Sequence, residues 1–557
     1  MFEYFDILKN NFNGETAKEH TRNISQYYRS HGSSGYHSAL EYIHNEIKKL
    51  GLDEVTVETF PLNSLGADNV QYTTDGFYPA WEPISVESSI VSPVNEKIVS
   101  YSDTPTCITW YSKSTPPGGI TAEICDIGSG LSVSDYDGID LKGKIALATG
   151  NSPEDTLRTY ELAVEKFGAI GLISDCLIGP IPGYRTREIT PDFVSLNRLS
   201  RKHNDSWAIM ISGRKGARLR DLLANGPVKI HVELEAKTFD GQGETLIAAI
   251  KGGELPDEEA IVIGHVTNPR PNANCASGPA LMIELARTYS SLISEGKIPR
   301  PKRTIRFLFV PEGTGSKAYA TDHKDTLDKI VGAVCLCGVG QIQDLCKSLL
   351  TLSRTTDSVP SYLNDVAYSF LENGVKIATP PLRYREIPYS PFSDNSTLNL
   401  VGVPTVLIAS EPNIFFHTQY LTWETTSEEV FNVSGVVVGG TTLLAANADL
   451  KSSVQIVNLT STRSEERLLK KGQSFHEHLL SSSKKSESQL TEFITKSKDE
   501  IDYLVERDSI ALDSCKTLYK KSELEPFINN AKQQLVSTSR KIKENLDNLV
   551  SSYGVLV

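Results

Sequence analysis

Apolar residues after Tyr36 fall on one helical face, at Leu40, Ile43, Ile47 and Leu50, and Gly51 ends the run. The same periodicity starts near Thr16 and is interrupted at the Arg29-Ser-His-Gly-Ser-Ser-Gly35 turn. The period then changes to two: Glu54 to Phe60 alternates as a strand, with Pro61 expected to close it. From about Val70 to Thr238 short apolar runs are separated by many turns. Within that stretch, Asp137–Ala148 places a turn before a buried strand. A helical segment passes through Tyr160 and Ala163, and Phe167–Ile173 reads as a second strand. After Thr245 strands are expected at Ala260–Gly264, Thr304–Val310, Gly332–Leu336 and Thr405–Ala409, with helices between them as far as Ala446. That alternation predicts an α/β fold, a mainly parallel sheet with helices on both faces. Beyond Asp449 the chain turns polar and helical. Leu468, Leu469, Leu479, Leu480 and Leu490 recur there, so a hairpin or short bundle is expected, packed on the body or on a second subunit.

These changes divide the 557 residues into four stretches. Residues 1–69 and 241–448 form two parts of one α/β domain, 70–240 a β-rich insert, and 449–557 a C-terminal helical segment. The formal charge of -13 gives no electrostatic basis for binding nucleic acid or an anionic membrane. No apolar run approaches the ~18 residues of a membrane span, and the first residues lack the basic and apolar regions of a secretory signal. Eight cysteines without framework spacing read as reduced thiols, and a cytoplasmic location is expected.

In doubly wound sheets, ligands bind outside the carboxyl ends of the strands. Three strand ends here carry reactive residues: Gly264-His-Val-Thr-Asn-Pro-Arg-Pro-Asn-Ala-Asn-Cys-Ala-Ser-Gly278, Phe309-Val-Pro-Glu-Gly-Thr-Gly-Ser316 and Phe415-Phe-His-Thr418. Neither a Gly-rich phosphate loop after a strand nor a nucleophile elbow appears. The ordered motifs are a strand ending in His, a turn ending Ala-Ser-Gly, a Leu/Ala-rich helix, Arg303-Thr-Ile-Arg-Phe-Leu-Phe, a Glu-containing Gly-Ser turn, and Phe-His-Thr. Together they resemble the co-catalytic zinc aminopeptidases, the family of bacterial leucyl aminopeptidases and aminopeptidase Y, with glutaminyl cyclases related by fold. The insert is similar to a protease-associated domain, which serves as a lid or binding surface.

The resemblance implies two zinc ions that polarise a scissile carbonyl and generate hydroxide near neutral pH. It places His265 and His417 at the two His ligand positions, and Glu312 as ligand or general base. Here the chain departs from the pattern. Asn274 or Cys275 stands where the bridging Asp belongs, Cys337 replaces the Asp of the third-strand motif, and Thr267 replaces the Asp that orients the first His. Two dications bring four positive charges, and Glu312 alone does not offset them in a low dielectric. At most one zinc ion is therefore expected.

Two readings of the cysteines stay open. They pack as small hydrophobes, or His265, Cys275 and Cys337 make a Cys2His zinc site with an open fourth position; His265, Glu312 and His417 are the alternative ligand set. Ser393-Asp-Asn395 resembles the family's Ser-Asp-His stretch, which makes Asp394 a candidate substrate-binding residue beside Asn274, although an exposed loop carboxylate is the simpler expectation. The leading functional expectation is an aminopeptidase-family protein that binds peptides or proteins without the two-zinc engine. A single-zinc hydrolase with Glu312 as base is the alternative. Homo-oligomers assembled through the C-terminal helices are compatible with both.

Overall fold

A computed structural model describes residues 2–62, 79–199, 205–481 and 487–556. The expected boundary at 69/70 lies outside the described residues. Helices α1 (Phe2–Asn11), α2 (Gly14–Ser25) and α3 (Ser34–Lys48) lead into β1 (Glu54–Leu62). Asn13 and Ser33 cap α2 and α3 by accepting first-turn amide hydrogens, which fixes where each helix begins. Pro61 does not close β1, contrary to the expectation: the strand is the outermost of its sheet and runs on to Leu62, and an edge position tolerates a missing N–H.

The second sheet contains β2 (Ala80–Ser92), β3 (Glu96–Ser100), β4 (Ile120–Asp126), β5 (Ile145–Ala148), β6 (Gly171–Ser174), β7 (Ala208–Met210) and β8 (Lys229–Phe239), in the order β3-β2-β8-β4-β5-β6-β7. Its β4 to β7 half is parallel. Helices α4 (Pro153–Tyr160) and α5 (Gly213–Leu223) belong to this part, and a π-helical stretch, Glu161–Lys166, continues α4.

The chain then returns to the first sheet with β9 (Gly241–Ile250), β10 (Leu255–His265), α6 (Asn274–Ser294), β11 (Arg303–Val310), α7 (Thr314–Asp322), β12 (Ile330–Cys337), α8 (Gln343–Cys346), β13 (Leu349–Ser353), α9 (Leu363–Gly374), β14 (Tyr384–Ile387), α10 (Asn395–Leu400), β15 (Thr405–Glu411) and α11 (Glu428–Asn447). The strand order is β1-β9-β11-β10-β12-β15-β13-β14. Its centre, β11-β10-β12-β15, is parallel, with antiparallel joins to β9 and β13 on either side.

Alternate strand residues face opposite layers, as the strand period of two requires. Leu246, Val262, Phe307 and Val334 pack with α1–α3, α6, α9 and α11, whereas Ile247, Ile263, Leu308 and Cys335 pack with Tyr319 of α7 and Leu398 of α10. Helix α11 is long and apolar enough to cross a membrane, contrary to the sequence expectation, but 89% of its apolar window is buried in the protein. It is a core helix.

The C-terminal helices α12 (Leu450–Ser481), α13 (Glu487–Ser514) and α14 (Glu525–Leu556) share the core of the main sheet through Leu468, Leu512, Ile528 and Leu535. Leu468 and Leu479 are buried, whereas Leu469 and Leu480 are exposed, so only part of the leucine pattern marks the packed face. Polar ties reinforce the joint: Arg303 Nη2 donates to the Leu518 carbonyl at 2.6 Å, and the Tyr362 amide donates to Ser514 Oγ at 2.9 Å.

Candidate functional site

The parallel strands aim their carboxyl ends at one cavity of about 320 Å³, bounded on the far side by the insert. His265 closes β10, Cys337 closes β12, and the loop after β11 supplies Glu312. Cys275 is the second residue of α6, where backbone N–H groups have no intrahelical acceptor. Gly278 lets α6 approach β12, because a Cβ there would meet the Leu336 carbonyl oxygen at 3.1 Å. At Gly338, with φ +64°, a side chain would meet Asn274 Oδ1 at 2.1 Å. These two glycines allow Asn274 and Cys275 to sit against Cys337.

Buried Arg29 shapes the intervening loop. Its guanidinium donates to the carbonyls of Val266 at 2.7 Å and Asn272 at 2.9 Å, and also to those of Ile24 and Tyr27. Burial brings its pKa down to about 10, opposed by the nearby sulfur of Cys275.

Within this frame His265 is buried and fully engaged. Its Nδ1 lies 3.0 Å from Asp394 Oδ2 and 3.0 Å from Ser393 Oγ, and its Nε2 lies 2.8 Å from Cys275 Sγ. Asn268 Nδ2 donates to the same sulfur at 2.8 Å, and Asn274 Nδ2 approaches it at 3.6 Å and Cys337 Sγ at 3.7 Å. Desolvation raises the pKa of the Cys275 thiol, but hydrogen bonding from Cys337 and the charge and N–H of His265 outweigh it and hold the thiol well below its ordinary range. Cys337 is pushed the other way, first by its hydrogen bond to Cys275 and then by burial. Desolvation lowers the pKa of His265, yet Cys275, Glu312 and Asp394 carry it well above the ordinary imidazole value. Both shifts run in the direction that favours transfer of the thiol proton to His265.

Glu312 Oε1 stands 3.8 Å from His265 Nε2. The Glu312 side chain is 44% accessible through the cavity, yet the surrounding protein pushes its carboxyl up to about 7. Desolvation leads; His265 and Arg198 oppose it, while Cys275 and Asp394 add to it. His417 lines the same cavity in a left-handed conformation, φ 56°, its ring stacked on Phe416 at 3.8 Å. Burial lowers its pKa to about 4.

Among the described residues, the ligand atoms of His265, Cys275 and Cys337 lie within 4.8 Å of one another; Glu312 and His417 stand outside that group. Asn274 lines the cavity as expected of a substrate-facing residue, but its amide is turned to the two sulfurs. Asp394 departs from the expected exposed loop carboxylate. It is fully buried, and its Oδ1 accepts from the Gly313 amide at 2.9 Å and Ser316 Oγ at 2.6 Å. Its place is behind His265. Sequence reasoning passed over Arg29 and Asn268; a lone Arg in a Gly/Ser turn and an Asn among prolines carry no spacing signal, and only the packed turn brings them to the sulfur.

The fold and its strand-end site define a protein of zinc-exopeptidase build. Residues 245–442 match the model of Peptidase family M28. The peptidase M28 precursor from Shewanella amazonensis SB2B superposes with a TM-score of 0.58 at 19% identity, over 80% of this chain and 96% of that one. BSAP, a zinc aminopeptidase from Bacillus subtilis, superposes with a TM-score of 0.56 at 19% identity, over 77% of this chain and 94% of that one. At such identity the likeness is one of fold. No curated protein sequence matches the chain.

The residues present do not fit a pair of zinc ions. Among the described residues, Glu312 is the one carboxylate that lines the cavity, since both oxygens of Asp394 are occupied by His265, Gly313 and Ser316. One zinc ion is chemically compatible with the His265, Cys275 and Cys337 donor set.

Proposed function

We propose that the chain is an M28-fold protein with an altered centre that takes peptides, or peptide-like amides, into the cleft without a two-zinc engine. The observation that carries this reading is that Glu312, 3.8 Å from His265, is the one carboxylate lining the cavity among the described residues. The insert, which we read as a protease-associated-type domain, supplies Leu196, Asn197 and Arg198 to the cavity wall.

An adjoining cavity of about 220 Å³ shares Asn274, Cys337, Phe392 and Phe416 with the first and is lined by Arg185. Arg185 is 1% exposed, its Nε has no hydrogen-bond partner among the described residues, and its Nη2 donates to Ser195 Oγ at a long 3.5 Å. Buried charges are ordinarily paired. This supports a ligand that brings its own carboxylate. Arg185→Met is expected to weaken a peptide with a free carboxylate by ~10–100-fold, the worth of one charge-assisted hydrogen bond, and to leave its amidated counterpart unchanged; isothermal titration calorimetry on the two peptides checks this.

The convergence of His265, Cys275 and Cys337 favours a second reading, in which these three residues hold one zinc ion. When bound there, zinc would act as a Lewis acid and lower the pKa of a water. Glu312 would then stand beside it to accept a proton. Plasma mass spectrometry of protein purified without chelator separates the two. The first reading expects far less than stoichiometric zinc and peptide binding that survives a chelator. The second expects about one zinc per chain, lost in Cys337→Ser. Two zinc ions per chain would overturn both.

A further inference from the structure

Cys275, His265 and Asp394 form a continuous chain of contacts: Sγ to Nε2 at 2.8 Å, then Nδ1 to Oδ2 at 3.0 Å. The sulfur stands in the first turn of α6, which has 21 residues and directs the positive end of its dipole toward the site. It lines the 320 Å³ cavity, and the amide groups of Asn268 and Asn274 surround it. Nucleophile and base are within hydrogen-bond reach, and a third group orients the base, which is the arrangement that covalent catalysis requires. No element of it depends on a metal.

We propose that Cys275 is a nucleophile, His265 its base and Asp394 the positioning residue, and that the cleft carries out acyl transfer from amides or esters through a thioester. The proposal rests on the metal-free reading of the cleft, because zinc on Cys275 would occupy the attacking sulfur. Sγ adds to the carbonyl carbon as its proton passes to His265 Nε2. The carbon–nitrogen or carbon–oxygen bond then breaks, and the Nε2 proton leaves with the amine or alcohol. Water attacks the thioester, Nε2 takes its proton, the carbon–sulfur bond breaks, and the proton returns to sulfur as the acid departs. The sum is hydrolysis by one water molecule, with no other co-reactant. Donors available to the carbonyl oxygen in the tetrahedral state are the first-turn amide of Cys275 and the side-chain amides of Asn268 and Asn274. The nucleophile sits on a helix terminus rather than a strand-to-helix elbow.

The test uses full-length reduced protein, chelator-treated, with 4-nitrophenyl acetate as acyl probe. The expected result is a burst of about one equivalent of nitrophenolate per chain, with the acetyl group mapped by mass spectrometry to Cys275. The burst should disappear in Cys275→Ser and His265→Ala and persist in Cys125→Ser, which changes a thiol outside the cavity. Circular dichroism and peptide binding measured on each variant establish that it is folded. An unchanged burst in Cys275→Ser, or acetyl mapped only to other residues, overturns the triad. Peptide binding without any acyl adduct overturns the triad and leaves the cleft reading in place. Two zinc ions per untreated chain overturn the cleft reading itself.

Discussion

Replacing Arg467 by alanine is expected to destabilise the joint between the C-terminal helices and the body by about 3–5 kcal/mol, the cost of breaking a buried ion pair by removing one partner. Arg467 of α12 donates from Nη1 to Asp365 Oδ1 of α9 at 2.5 Å and from Nε to Asp508 Oδ2 of α13 at 3.1 Å. The side chains of Asp365 and Asp508 are 2% and 1% exposed, against 21% for Arg467. The substitution therefore strands two carboxylates away from water. Arg354, 3.8 Å from Asp365, and Arg507, 2.8 Å from Asp508, compensate in part and place the effect toward the lower end of the range. Burial alone would raise the pKa of Asp508, but Arg467 and Arg507 overcome it and hold the pKa below the ordinary value. A depressed carboxylate stabilises the fold above its unfolded pKa of about 3.9, and that stability is lost as the pH falls through the folded value. Acid should thus loosen the tail of the wild-type protein only below about pH 4, and at higher pH in Arg467→Ala. Hydrogen exchange of α12–α14 over a pH series measures both effects; unchanged protection in the variant would show that apolar contacts alone hold the joint.

The fold was legible in the sequence wherever one period dominated. The apolar strands Ala260–Gly264 and Thr304–Val310 and the amphipathic run after Tyr36 appear within a few residues of their expected bounds. β13 and β14 went unread because they are short and lie beside loops, and the pairing of β13 with β15 and of β14 with β13 is set by contacts distant in sequence. Pro61 misled because the same residue that breaks an inner strand is harmless on an edge, and edge status is a property of the sheet. The apolarity of α11 was underestimated because its threonines and glycines interrupt the run; they are buried among neighbouring helices.

The site divides in the same way. His265, Glu312, Cys337 and His417 line one cavity because each terminates or follows a strand, where the sheet topology brings them together. The role of Asp394 was hidden. Its loop lies 129 residues beyond His265 in the chain, and only folding shows that its carboxylate meets His265 Nδ1. Charge arithmetic pointed to a shortage of carboxylates at the strand ends, and among the described residues Glu312 is the one that lines the cavity. It did not indicate that the remaining histidine would pair with a sulfur.

That pairing makes Asp394→Asn the most informative substitution in the cleft. The asparagine Oδ1 can still accept from the Gly313 amide and Ser316 Oγ, so the loop is expected to stay in place. Its Nδ2, however, would present hydrogens to His265 Nδ1 where Oδ2 now accepts. Imidazole must then turn to the other tautomer, with Nδ1 as acceptor and the proton on Nε2, facing Cys275. A protonated, neutral ring in that tautomer cannot take the thiol proton. Acylation by the nitrophenyl ester is expected to fall by ~10³–10⁴-fold, the scale seen when a triad loses its orienting carboxylate. Unfolding temperature and peptide affinity should change little. Asp394→Glu, which keeps the acceptor, should recover part of the rate. Removing the carboxylate also weakens the imidazolium partner of the sulfur, so half-maximal alkylation of Cys275 by iodoacetamide should move up in pH, toward the ordinary thiol range near ~8.5. A purely structural carboxylate predicts a different pattern: a lowered melting temperature, an unmoved pH profile and no advantage for glutamate over asparagine. That outcome would remove Asp394 from the triad.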